Sequence, residues 1–215
     1  EHKAEDLFRQ IAQAAWEVGD PGLFFYNTVN AWNTTPSRGA ILNGNPCMEV
    51  MQQPDTSCNL GALNLLKFLN DDGSFDIEAY KHVVDVMITA QEILVGRSDY
   101  PTPAITKNSL DFRPLGLGFA NLGALLMAKG LPYDSNEGRD YAASITALMT
   151  GEAYKRSAEL AAIKGPFNGF EANKEPMLEV IAKHIKSIPI ENMSNIPLLD
   201  ATIWMTANNV WYEAE

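Results

Sequence analysis

Two long predicted helices constrain what this chain can fold into more than any other feature. Over about Asp76 to Val95, the repeat Ile77, Tyr80, Val83, Val84, Met87, Ile88, Gln91 and Leu94 predicts a helix with one face turned to a core. A second runs from roughly Glu137 to Ile163 and is stopped by Gly165-Pro166. Residues 4–17 set Leu7, Ile11, Ala14 and Ala15 on one face behind an acidic start, and Gly19-Asp20-Pro21 ends that amphipathic helix. Shorter helices are expected over 119–129, Lys174–Ile185 and Leu198–Glu215, the last two separated by Pro189 and Pro197. Strand candidates are few and short: the small, aliphatic run 57–66 and Arg113–Leu117. Residues 22–44 read as loop with short strands, Asn70-Asp71-Asp72-Gly73 as a turn, and the surroundings of Pro101 and Pro103 as loop. Helices therefore dominate a minority of strands.

A chain of 215 residues buries a real core, whether as one large domain or two small ones. Its net charge of −11 and pI near 4.7 exclude the basic footprint that non-specific nucleic-acid binding needs, and disfavour an anionic membrane. No signal peptide or apolar spanning run is visible, and two cysteines without an export signal suit a reducing cytoplasm.

Both cysteines fall in one short stretch. Cys47 lies in Asn45-Pro46-Cys47-Met48-Glu49, and Cys58 opens Cys58-Asn59-Leu60-Gly61. Pro46 biases Asn45 away from helix, so the segment is expected to begin extended, with Asn45, Cys47 and Glu49 projecting to one side. An amide, a thiol and a carboxylate on one face make an active-site lining. Other readings stay open: buried structural cysteines, or a disulfide between Cys47 and Cys58, which is sterically allowed. A zinc site needs two more ligands from His2, His82, His184 or carboxylates, and no paired-ligand spacing supplies them.

The run from Asn45 to Glu49, followed by Asp55-Thr56-Ser57-Cys58-Asn59-Leu60-Gly61-Ala62-Leu63-Asn64-Leu65, resembles the active-site segment of ribonucleotide reductase large chains. Trp16 to Phe25 and Asn30 resemble the approach to that segment. Arg113-Pro114-Leu115-Gly116-Leu117-Gly118-Phe119-Ala120-Asn121-Leu122-Gly123, then Gly130 to Ser135, Ala153-Tyr154, Ser157 to Ala161 and Gly165-Pro166-Phe167 continue it in order. The wording is most similar to the adenosylcobalamin-dependent (class II) form. Family large chains are several times longer, so the sequence reads as an internal piece: residues 1–215 form one partial catalytic-barrel domain.

The resemblance implies an α/β fold, a helix-rich fragment of a ten-stranded barrel with a small incomplete sheet, in which the Cys47 loop is a finger pushed into the barrel centre. It implies conversion of ribonucleotides to 2′-deoxyribonucleotides for DNA synthesis, on a ribonucleoside di- or triphosphate. Adenosylcobalamin is the implied cofactor, a thioredoxin-type dithiol the reductant, and the remainder of the parent chain and a homodimer mate the protein partners. Cys47 aligns with the thiyl-radical cysteine that takes the 3′-hydrogen of the ribose. Glu49 aligns with the carboxylate that takes the 3′-hydroxyl proton, and Asn45 with the amide that orients the ribose. Cys58 aligns with one of two cysteines that end as a disulfide, its partner belonging ahead of Glu1. The 215 residues alone are expected to be catalytically silent. Runner-up readings are the large chain of the iron-dependent class and a non-catalytic helical interaction module, in which Cys47 lies buried beneath helices.

Other features carry less chemistry. Gly116-x-Gly118 lacks the remaining spacing of a phosphate loop and is expected to allow close packing of strand on helix. Phe24, Phe25 and Tyr26 read as core or strand. Trp204 and Trp211, seven apart, share a helical face expected to be exposed in a fragment and to self-associate. Met48 stands where a small residue is expected and threatens to narrow the approach to Cys47. Exposed strand edges invite pairing with another chain.

Overall fold

The structure is a computed structural model, and it describes residues 2–189 and 198–214. Pro197 and the terminal Glu1 and Glu215 named above lie outside the described residues. The helices are α1 (Ala4–Val18), α2 (Tyr26–Asn30), α3 (Ile77–Arg97), α4 (Pro103–Phe112), α5 (Leu122–Ala128), α6 (Asn136–Lys164), α7 (Lys174–Ser187) and α8 (Leu198–Ala214). Among the described residues four strands accompany them: β1 (Asn43–Gly44), β2 (Met51–Gln52), β3 (Asn59–Asn64) and β4 (Leu115–Ala120). β1 and β2 form a short antiparallel hairpin, whereas β3 and β4 pair in parallel with Asn59 opposite Leu115 and Asn64 opposite Ala120.

Caps and periodicity explain why the two long helices form where the sequence places them. Asp76 Oδ1 accepts from the Ala79 N–H (2.9 Å), closing the start of α3, and Ser135 Oγ accepts from the Gly138 N–H (2.9 Å) at the start of α6. The Gly73 turn, at φ +81°, brings Phe75 back to Leu69 just ahead of α3. There Phe68, Phe75 and Tyr80 meet edge-on or tilted, with ring centroids 5.0–5.9 Å apart.

One face of the β3–β4 pair lies on α3, which packs on α6, and α6 carries α8 on its far side. Leu63 of β3 and Leu115, Leu117 and Phe119 of β4 join Val84, Ile88, Leu125, Ile145, Leu148 and Val210 in the main core. The opposite face bears Leu60, Ala62 and Asn64 on β3 and Gly116, Gly118 and Ala120 on β4, since alternate residues of a strand point to opposite faces. Leu60 is 62% exposed, so the described residues leave this face open. Among them no helix is long and apolar enough to cross a membrane.

Several sequence expectations are corrected. Residues 22–44 contain the short helix α2 and a 3-10 turn at Pro36–Arg38, besides the two-residue strand β1. Phe25 and Tyr26 are exposed and Phe24 half-buried, so this trio is not core. The Pro101–Pro103 region is not all loop: Thr102 caps α4 through Oγ1 and Pro103 occupies its first turn, where a missing N–H costs nothing. The strand expected over Arg113–Leu117 begins two residues later and runs to Ala120, because Arg113 is spent as the left-handed cap of α4 (φ +46°). Trp204 and Trp211 are not an exposed, self-associating face. They are 6% and 1% exposed, and α8 seats them within this chain. Gly151 of α6 makes that possible: a Cβ there would lie 2.9 Å from the Trp211 ring, and Trp211 Nε1 donates to the Ala147 carbonyl (3.0 Å). The Gly116-x-Gly118 spacing does not serve strand-on-helix packing either. That contact is made by Gly61, where a Cβ would lie 2.5 Å from Met87 Cε of α3, while Gly116 faces the neighbouring strand.

Candidate active site

The Asn45–Glu49 segment is the tip of the β1–β2 hairpin, and it is a turn rather than an extended run. Pro46 and Cys47 occupy the turn, the Met48 N–H donates to the Asn45 carbonyl (3.0 Å), and Met48 sits at φ +65°. Asn45 also closes the tip with its side chain, Oδ1 accepting from the Val50 N–H (3.0 Å). The alternating-face arrangement expected from Pro46 is therefore lost: the left-handed residue at Met48 turns the chain between Cys47 and Glu49. Met48 folds back onto the hairpin base, its side chain filling the space beside Gly22 and Gly44 instead of flanking the thiol. Cys47 and Glu49 are left exposed and Asn45 half-buried.

The base of the hairpin is held by buried amides. Gln53 is 8% exposed, and its Nε2 donates to the carbonyls of Gly39 (2.7 Å) and Thr35 (3.3 Å) and to Asn33 Oδ1 (3.3 Å). Asn30, one of the residues that carry the resemblance, works as a substitute strand. Its Nδ2 donates to the Ile41 carbonyl (2.9 Å), and its Oδ1 accepts from the Ile41 N–H (2.8 Å), tying the hairpin's approach to α2.

Cys58 reaches the site from the other side. The Ser57 N–H donates to Ser109 Oγ of α4 (3.1 Å), and Asn108 Nδ2 donates to the Asp55 carbonyl (3.1 Å). Beyond Cys58, Gln91 of α3 donates from Nε2 to the Asn59 and Gly116 carbonyls (2.6 Å each), spanning β3 and β4 where they start. The thiol lies on the open face of this sheet. Burial pushes its pKa up, a hydrogen bond from the Gln52 side chain pulls it down, and the nearby Glu49 carboxylate raises it again. The hairpin thus reaches Cys58 through Gln52 of β2, with the Glu49 charge near enough to be felt. Cys47 and Cys58 are both free thiols, so no bond joins them. Among the described residues no three His, Cys, Asp or Glu gather as a metal site.

Arg113, in the glycine-rich strand motif, is structural. Its Nε donates to Glu92 Oε1 (2.5 Å) and its guanidinium to the Glu92 carbonyl (2.8 Å), joining the end of α4 to α3. Sequence reasoning missed Gln52, Gln53 and Ser109, whose partners come within reach only after the hairpin and α4 have folded onto β3. Gly116 was legible as special, but not its neighbour.

A family model for the barrel domain of ribonucleotide reductases matches residues 1–211. The chain belongs to the ribonucleotide reductase family. It is 49% identical to the vitamin B12-dependent ribonucleotide reductase of Streptomyces coelicolor over 98% of this chain and 22% of that protein. A protein of the same name from Rhodopirellula baltica is 49% identical over 84% of this chain and 17% of its own length. The vitamin B12-dependent ribonucleoside-diphosphate reductase of Mycobacterium tuberculosis is 38% identical over 78% and 24%. The chain spans about a fifth of the length of these curated relatives. A helix-rich segment with a two-stranded parallel sheet and a thiol-tipped hairpin is accordingly part of a ribonucleotide reductase barrel.

Proposed function

We propose that this chain carries the radical thiol and the ribose-handling groups of a vitamin B12-dependent ribonucleotide reductase. The observation that carries the reading is the exposed Cys47 thiol at the tip of the β1–β2 hairpin, with Asn45 and Glu49 in the same tight turn. In the overall reaction the ribose C2′–O bond breaks and the oxygen leaves as water. A C2′–H bond forms, and two thiols give up two electrons and two protons as they become one disulfide.

Each residue has a part suited to its place. Cys47, exposed at the tip of a loop, is open to a bulky radical-generating group and to a sugar. As a sulfur radical it takes the 3′-hydrogen and returns it at the end of the cycle. Glu49 accepts the proton of the 3′-hydroxyl, which eases departure of the 2′-oxygen. Asn45 uses its Oδ1 to hold the Val50 N–H, so its Nδ2 is the group that donates to a ribose hydroxyl. Cys58 supplies one of the two reducing thiols; the second, on this reading, belongs to another part of the parent chain.

The exposed thiol is what fits adenosylcobalamin here: Cys47 is the residue that would face the cofactor. When bound, this cofactor supplies a carbon-centred radical by homolysis of its cobalt–carbon bond. Two cavities among the described residues, about 720 and 460 Å³, are not lined by Asn45, Cys47 or Glu49. The names of the relatives support the cobalamin form over an iron-dependent large chain. Exposure of Cys47 speaks against a packing module, in which that thiol is covered. A thioredoxin-type reductant, a homodimer, a cytoplasmic location and inactivity of the 215 residues alone complete the proposal.

The test is turnover by the full-length protein with adenosylcobalamin, a dithiol, and ribonucleoside di- and triphosphates in separate assays. Cys47→Ser is expected to abolish deoxyribonucleotide formation, and product formed at the unaltered rate would end the proposal. Cys58→Ser is expected to stop multiple turnovers.

A further inference from the structure

The main chain on both sides of Cys58 is fixed. Ser109 Oγ holds the Ser57 N–H (3.1 Å) on one side, and Gln91 Nε2 holds the Asn59 carbonyl (2.6 Å) on the other. What remains free is rotation about the Cα–Cβ bond, which places the sulfur in one of three staggered wells. Across the parallel pair stands Gly116, buried and on the same open face. A Cβ built on Gly116 would lie 2.5 Å from Cys58 Sγ and 3.3 Å from Leu60 Cδ1. The sulfur occupies the space that a side chain at 116 would fill. Two residues on, a Cβ on Gly118 would meet nothing within 4 Å, so crowding is specific to position 116 and not a property of the strand.

We infer that Gly116 is the positioning residue for the Cys58 thiol: its bare α-carbon keeps open the one side-chain orientation that holds the sulfur between the sheet and the Gln52 amide. The inference deepens the proposed function and rests on its assignment of Cys58 as a reducing thiol. A thiol that must form a disulfide with a particular partner has to present its sulfur along one direction, because disulfide geometry tolerates little deviation. A methyl group at 116 leaves the strand register intact, since the nearest obstacle is the end of a short side chain that can rotate. It turns the sulfur away from Gln52 and from the space in front of the open face.

The experiment is site-resolved alkylation of the full-length protein, read by mass spectrometry at Cys58 itself, with turnover measured in parallel. Gly116→Ala is expected to slow alkylation at Cys58 by about threefold or more at mildly alkaline pH, because the thiolate loses its amide donor. Alkylation at Cys47 should be unchanged, and Gly118→Ala should leave the Cys58 rate unaltered. A double-mutant cycle guards against a general folding defect. The stability lost in Gly116→Ala should be largely recovered when Cys58 is also Ala, since the crowding atom is then gone. An unslowed Cys58 rate in Gly116→Ala, or no recovery in the double variant, overturns the inference. Slowed alkylation with unimpaired multiple turnover leaves Gly116 as the positioning residue and instead overturns the reading of Cys58 as a reductant.

Discussion

The hairpin tip and the α6–α8 contact are built on opposite principles. At the tip, Cys47 and Glu49 stand in solvent and Asn45 braces a turn by hydrogen bonds, with no apolar core of its own. Between α6 and α8, Trp211 is 1% exposed, lies against Gly151, and stacks on His184 with ring centroids 4.7 Å apart. The difference teaches where each kind of substitution will be felt. On the proposed function, chemistry sits on a segment where losing a side chain should hardly touch folding, while the buried contacts that hold the fold lie between helices.

The sharpest way to break that comparison is Cys47→Ser. Turnover should vanish while the urea midpoint of the full-length protein stays put, the stability change remaining within about 0.5 kcal/mol for an exposed side chain. A large loss of stability would mean that the tip is load-carrying after all. Trp211→Ala should do the reverse at the other region. Emptying this site removes a buried ring and the bond to the Ala147 carbonyl, at a cost of about 3–5 kcal/mol in denaturant unfolding. Gln53→Leu sits between the extremes. It removes the buried amide from which Asn33 Oδ1 and the Thr35 and Gly39 carbonyls accept and should cost about 1–3 kcal/mol, with faster hydrogen exchange confined to the hairpin and its approach. Exchange that also accelerated in α6 and α8 would show the two regions to be one cooperative unit.

The smallest effect concerns pH. Burial holds the His184 imidazole below its ordinary value of 6.5, with Trp211, Trp32 and Tyr154 around the ring. A depressed value means that the folded state binds this proton less readily than the unfolded chain. The contribution is therefore complete above pH 6.5 and is lost as pH falls through the folded value. His184→Phe should flatten the loss of stability seen between about pH 7 and about pH 5, and an identical slope in the variant would remove this residue from the account.

Much of this architecture was legible in the residues, for identifiable reasons. α1 and α3 announce themselves through a 3.6-residue apolar repeat, and α1 and α6 through the glycine and proline that end them. α4 did not, because Pro101 and Pro103 signal a break and only the Thr102 cap reveals that the second proline starts a helix. The four proposed site residues were named by resemblance, yet their arrangement was not legible. Pro46 suggested an extended run, but the hydrogen bonds Asn45 makes across the tip favour a turn, and Met48 takes the left-handed conformation that closes it. The tryptophan pair was misread for a related reason. A helical face seen in isolation gives no hint of its seat, and here the seat is a glycine sixty positions upstream in α6. Contacts between distant segments are what a linear reading lacks.

Gln91 touches the carbonyls of two adjacent strands with one amide group. Any event that pries β3 from β4, or tilts one past the other, must lengthen at least one of those bonds. An isotope label on that single side-chain nitrogen would therefore serve as a strain gauge for the sheet, readable by magnetic resonance without a dye or a crosslink. It would report in real time whether β3, the strand that Cys58 leads into, shifts against β4.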